Sequence, residues 1–196
     1  MIKEYDFSKG KWNTDDFMYV YSPVCSEYQR FTQDDDGIRN IYDYDNKDFG
    51  HGYVSMVTKE KYKRNIRLSA ECSFVKFGAP LIVVSNDIYK DGDILRYDFH
   101  YEFVAYEGGC NMWRITHWPE RKERPIFTMK PGYVDVPVEA GSKALIEAVI
   151  GDTTFDVSIN GHSFHHESPE IPESFHVGIT ACEGENKFYN FKIEQF

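Results

Sequence analysis

The chain has 196 residues, 41% hydrophobic and 16% aromatic, with a formal net charge of −10. That length suits one large all-β domain with a sizeable core, and the ring-rich composition excludes a disordered chain. Its 22 Lys and Arg are scattered without a basic stripe, so neither nucleic acid nor an anionic membrane is expected as a partner, and a neutral glycan or a cationic partner fits better.

The opening residues MIKEYDFSKGKW lack the apolar core of a signal peptide, and no run reaches membrane-span length, so the sequence reads as cytoplasmic. Aromatic runs broken by Gly10, Asn13 and Pro23 predict a short first strand and then an irregular approach. Asp36-Gly37 forms a turn before a strand over 38–44, and Gly50 and Gly52 introduce another over 53–57; the two read as antiparallel neighbours.

Residues 66–74 alternate Ile66, Leu68, Ala70, Cys72 and Phe74 with polar groups, the pattern of a half-buried strand. The continuous run LIVV within 80–85 predicts a strand covered on both sides, and NDIYKDGD a loop around Asp91-Gly92. Next comes RYDFHYEFVAYEGGCNMWRITHW, two strands joined at Gly108-Gly109. Period-two alternation puts Arg96, Asp98, His100, Glu102 and Tyr106 on one face, and Tyr97, Phe99, Tyr101, Phe103 and Ala105 on the other.

The Pro-rich, charged stretch 119–142 predicts a long surface loop with one short strand. Strands follow over 143–150 and 153–159, and Asn160-Gly161 is the strongest short hairpin signal in the chain. A Pro-rich loop, a strand over 176–181 and a closing strand with Tyr189, Phe191 and Ile193 facing inward complete the sequence. With no helical repeat and turns at roughly 8- to 12-residue spacing, residues 1–196 read as a single all-β sandwich or barrel.

Cys25, Cys72, Cys110 and Cys182 are widely spaced with no C-x-x-C pair, so zinc spacing is absent; Cys72, on an apolar phase, reads as a reduced core thiol.

The run FDVSINGHSF, followed by FHVGITACEGENKFYNFKI, resembles the closing strands of concanavalin A-like lectin/glucanase jelly rolls. RYDFHYEFVAYEGGCNMWRI similarly resembles the paired concave strands of bacterial members of that superfamily. The resemblance, which spans 66–196, implies a two-sheet antiparallel jelly-roll sandwich whose concave sheet meets a sugar.

Glucanases of this fold carry carboxylates on one concave strand in an E-x-D-x-E-like spacing, and this chain has Asp98, His100 and Glu102 as D-x-H-x-E. In that reading Glu102 is the acid/base, Asp98 the nucleophile, and His100 the group that separates their pKa values. Strand residues four apart lie about 13 Å apart, so the pair approaches the roughly 5 to 5.5 Å of a retaining pair only by leaning inward or through a bulge. The plainer reading is the solvated face of an antiparallel strand.

Asn111, Trp113 and His117 share one face of the next strand, and Trp118 ends it. Indole faces bind the apolar side of a pyranose while amides and carboxylates bond its hydroxyls, so Arg96, Tyr106, Asn111, Trp113, His117 and Trp118 are the candidate sugar contacts. Trp113 fits sandwich core equally well, and His117-Trp118 is the expected rim.

No metal or organic cofactor is required, but acidic turns at 34–36 and 43–48 offer oxygens for a structural Ca²⁺, with Asp43, Asp45 and Asp48 as ligands; Val54 in the twelfth position excludes an EF-hand. His162, His165 and His166 lack the carboxylate support of a designed metal site.

The leading expectation is a lectin-like, carbohydrate-binding protein whose partner is an oligosaccharide or polysaccharide. A glycoside hydrolase or polysaccharide lyase using Glu102 is the alternative, and a non-catalytic interaction module the third. Oligomeric state is open.

Overall fold

The computed structural model describes residues 1–23, 28–41, 53–118, 120–121 and 126–196. Its strands, in chain order, are β1 (Ile2–Asp6), β2 (Phe17–Tyr19), β3 (Thr32–Gln33), β4 (Ile38–Arg39), β5 (Tyr53–Thr58), β6 (Tyr62–Lys63), β7 (Ile66–Val75) and β8 (Ala79–Asp91). The second half adds β9 (Ile94–Tyr106), β10 (Gly109–His117), β11 (Ile126–Asp135), β12 (Ala144–Ile150), β13 (Thr154–Ile159), β14 (His162–Glu167), β15 (Ser174–Cys182) and β16 (Glu185–Gln195). They form two antiparallel sheets. The first runs β14-β13-β12-β7-β16-β4-β3 with β1 beside β16, and the second runs β11-β10-β9-β8-β15-β5-β2 with β6 on β15.

The pleat explains the layers. Alternate residues of β7, β12 and β13 (Ile66, Leu68, Ala70, Cys72; Ile146, Ala148, Ile150; Phe155, Val157, Ile159) face Val84, Tyr101, Phe103, Met112 and Ile179 of the other sheet, forming one ring-rich core. The second sheet is apolar on its outer face as well, where Val57, Leu81, Val83, Tyr97 and Val104 form a separate cluster with Val20. The LIVV run therefore has cover on both sides, as its lack of alternation predicts. Asn160 (φ 50°) and Gly161 (φ 83°) turn β13 into β14, both in the left-handed region that this two-residue hairpin demands.

Five expectations change. The NDIYKDGD segment is not a loop: β8 runs through it to Asp91 and β9 starts at Ile94, so only the tip turns. The strands around 38 and 53 are not neighbours: β4 pairs with β16 in the first sheet, while β5 lies between β15 and β2 in the second. The 119–142 stretch supplies an edge strand of ten residues, β11, where Pro131 falls in a register shift opposite Trp113 and has no partner in the β10 ladder. A register shift between Phe188 and Asn190 in β16 makes Phe188, Phe191 and Ile193 the inward set, and Tyr189 turns outward to Ser73. In β9 the pairing steps from Ser85↔His100 through Asp87↔Phe99 to Ile88↔Tyr97, leaving Asp98 without a partner in the β8 ladder. That extra residue reverses the phase, so Tyr97 shares a face with His100 rather than with Phe99.

The same irregularity bends the β8–β9 hairpin. Val20 donates to Ser55 O on β5 at 3.1 Å, and the adjacent Tyr21 donates to Leu95 O on β9 at 2.9 Å. Two strands, β15 and β8, separate β5 from β9 in the sheet, so the hairpin tip must curl back over the outer face for consecutive residues to reach both. This closes one end of that face and leaves the other open.

Cys72 and Cys110 are fully buried free thiols. Burial pushes both thiols up, Cys110 to about 12, and the reactive species is the thiolate. Neither should label with maleimide in the folded protein at mildly alkaline pH, and both should label on unfolding. A mass-spectrometric pulse-labelling series checks this; native labelling at the rate of a free thiol would contradict the core placement.

Candidate functional site

The open part of the outer face is a groove of about 580 Å³. Its floor is Ala79 and Leu81 from β8 with Val104 from β9, and its walls include Glu102 and Tyr106 from β9, Asn111, Trp113 and Ile115 from β10, Thr128 from β11, and Cys182 and Glu183 at the end of β15. Alternation brings these residues together: 102, 104 and 106 share one phase of β9, 111, 113 and 115 share one phase of β10, and the ladder sets Trp113 directly opposite Glu102 and Asn111 opposite Val104.

Glu102 is only 7% exposed although it lines the groove. Tyr53 Oη donates to its Oε1 at 3.1 Å, and His100 Nε2 lies 3.2 Å from the same oxygen. The phenol of Tyr53 is held well above its ordinary pKa, by burial first and then by the Glu102 charge, so it remains a donor. His100 Nδ1 is buried without a partner. A protonated imidazole would strand an N–H there, so the arrangement matches a neutral ring carrying its proton on Nε2.

Tyr53 stands on β5 and reaches Glu102 on β9 across two intervening strands, which makes this face concave. Below it, Ser55 Oγ lies 2.6 Å from both Tyr97 Oη and Thr180 Oγ1, so the buried hydroxyls are mutually satisfied. Tyr53→Phe removes one of two protein partners of a buried carboxylate oxygen and is expected to lower stability by about 1.5 kcal/mol. Urea denaturation measures it, and an unchanged midpoint would mean that the phenol does not support Glu102.

The remaining candidates separate. Arg96 is buried away from the groove: its Nε meets Asp91 Oδ2 at 2.6 Å, Nη1 meets Ser22 O at 2.7 Å and Nη2 meets Tyr28 Oη at 3.1 Å, tying the curled hairpin to Ser22 and Tyr28. Asp98 sits in the β9 irregularity and is not among the groove-lining residues. His117 stacks on Tyr89, with ring centroids 5.3 Å apart and planes 1° from parallel. Trp118 stacks on Phe127 and carries the Arg121 guanidinium 3.8 Å from its ring centre. Neither lines the groove; Trp113 does.

Asp43, Asp45 and Asp48 lie outside the described residues. In the other acidic turn, Asp34 and Asp36 both hold the Lys187 ammonium, Asp34 at 2.9 Å, so a lysine occupies the place a cation would take. No group of three or more His, Cys, Asp or Glu among the described residues could hold a metal ion. His162, His165 and His166 fall on β14, and His165 does have a carboxylate beside it, its Nδ1 meeting Asp156 Oδ1 at 2.7 Å across the hairpin.

Sequence reasoning missed Tyr53, Glu183, Ile115 and Thr128. The alternation of Tyr53, Ser55 and Val57 placed them together on one face of a strand, but nothing local linked that strand to Glu102, 49 residues away.

No family model matches the sequence, and no curated protein matches it. Solved structures match in shape. The chain is similar to a carbohydrate-binding module, CBM66, from Bacillus subtilis (TM-score 0.62, 10% identity, 90% of this chain and 94% of that one). It is also similar to the exoplasmic/lumenal domain of VIP36 in its Ca²⁺/Man3GlcNAc-bound form (TM-score 0.62, 9% identity, 98% and 88%). A Bacillus licheniformis beta-glucanase matches at TM-score 0.67 and 7% identity, over 100% and 98% of the two chains. With two antiparallel sheets and these likenesses, the chain has the concanavalin A-like jelly-roll fold.

Proposed function

We propose that the protein is a lectin-like carbohydrate-binding protein that holds an oligosaccharide or a segment of a polysaccharide in the concave groove. One observation carries this reading. The Trp113 indole lies in register with Glu102, beside Asn111 and Tyr106, over an apolar floor. A pyranose presents an apolar face edged by hydroxyls, so a ring beside acceptors and a phenol complements it. Burial, then the charge of Asp135, holds the Tyr106 phenol above its ordinary pKa, so it stays a donor. The solved structures of similar shape include a module named for carbohydrate binding and a domain bound to Man3GlcNAc.

Hydrolysis is the second reading, and the glucanases of similar shape favour it. The strand itself favours binding. Beyond the irregularity, the groove phase of β9 reads His100, Glu102, Val104 and Tyr106, so this strand supplies one carboxylate where a retaining mechanism needs two about 5 to 5.5 Å apart, and the other acidic residue lining the groove, Glu183, comes from the end of β15. Asp98 does not line the groove to complete the pair.

The test is a glycan array probed with wild-type protein and Trp113→Ala, run beside a reducing-end assay on the glycans that bind. Binding that Trp113→Ala abolishes, with no new reducing ends, supports the reading. No glycan bound by the wild type, or undiminished binding by the variant, would reject it; wild-type turnover lost in Glu102→Gln would establish the hydrolase instead.

A further inference from the structure

We infer that the groove prefers glycans bearing a protonated amino group, of the 2-amino-2-deoxyhexose class, over their neutral N-acetylated forms, and rejects uronic-acid glycans. The inference rests on the glycan-binding reading and adds the charge of the ligand.

Glu102 is more than nine-tenths buried, and among the described residues neither Lys nor Arg meets it; its one ionisable neighbour of basic type is His100. Both of its protein partners bond Oε1, through the Tyr53 hydroxyl and the His100 ring, and Oε2 has none among the described residues. The unpartnered Nδ1 of His100 argues for a neutral ring, which donates a hydrogen bond without neutralising the charge. The arginines of the two strands are engaged elsewhere, Arg96 with Asp91 and Arg114 with Glu170.

Among the described residues no Lys, Arg or His lines the groove. Asn111 Oδ1 is a further buried acceptor, without a donor among the described residues. The second oxygen of this largely buried carboxylate is open to the groove, where a cationic donor forms a charge-assisted hydrogen bond stronger than a neutral one. The Trp113 face attracts a cation through its quadrupole. Concavity and a net charge of −10 add a negative field that draws amines and repels uronates.

Isothermal titration with a glucosamine tetramer, its N-acetylated counterpart and a galacturonate tetramer, at slightly acidic pH and low salt, tests this. The glucosamine tetramer should bind about tenfold tighter than the acetylated one, a typical scale for one charge-assisted contact. That ratio should shrink as salt rises, and the uronate should give no heat. Glu102→Gln, which keeps the side-chain shape, should bring the ratio close to one, and Asn111→Asp should raise it.

Equal or tighter binding of the acetylated or uronate tetramer, or a ratio untouched by Glu102→Gln, overturns the charge preference. Such an outcome, with neutral glycans still bound, leaves the glycan-binding reading intact. If no glycan of any charge binds, that reading fails first.

Discussion

Trp113→Ala is expected to weaken glycan binding by about 2 to 3 kcal/mol, roughly 30- to 150-fold, as for an aromatic anchor at the centre of a contact. The indole is half-buried, its inner edge packed against the outer-face cluster and the rest lining the groove. Truncation therefore removes the stacking surface and some packing, with an expected stability loss of about 1 to 2 kcal/mol, smaller than for a fully buried ring. Affinity measured by titration well below the melting transition separates the two effects. Trp113→Phe, which keeps a ring, should recover part of the affinity. A folded Trp113→Ala protein with wild-type affinity would remove the groove from consideration.

Gly178→Ala is expected to lower stability by about 4 kcal/mol or more, at the upper end of single substitutions. Gly178 lies in β15, paired with Val57 of β5 on one side and Val83 of β8 on the other. An added Cβ would stand 2.0 Å from Met56 O and 2.7 Å from Val57 Cα. Those neighbours are backbone and cannot rotate aside, so the strands must part or the clash must stand. The expected fall in melting temperature is about 8 to 16 °C for a chain of this size.

The effect reaches the groove, because β5 carries Tyr53 and hence the hydrogen bond to Glu102. Glycan affinity should fall even where the variant is still folded. Thermal unfolding and titration check both parts; a loss below about 1 kcal/mol would show that the ladder gives way easily.

Much of this molecule is legible from local pattern. The alternation in 66–74, 143–150 and 153–159 marks strands with one core face, and Asn160-Gly161 marks the hairpin, because pleat and turn geometry depend on residues adjacent in sequence. Glu102, Trp113 and Asn111 could be picked out as groove candidates for the same reason, their phases being continuous along β9 and β10.

Residue counting fails where an extra residue enters a ladder. Asp98 in β9 and the shift between Phe188 and Asn190 in β16 each reverse which face a side chain meets, and such a shift is set by what the partner strand offers. Arg96 and Asp98 therefore part from Glu102 even though all three share even-numbered spacing. Trp118, expected at the rim, stacks on Phe127, a residue of the edge strand β11 in a stretch that composition reads as a long loop with one short strand.

The sequence by itself determined an all-β sandwich, its main strands, and a β9–β10 hairpin carrying the groups proposed to meet a sugar. Only the tertiary structure decided which of them face one another. It curled the β8–β9 tip over one end of the outer face, and it set Tyr53 and His100 on a single oxygen of Glu102. The physical reason is range: side-chain phase along an unbroken strand is a local property, whereas register, bulges and the curvature that joins β5 to β9 come from pairing between segments far apart in the chain.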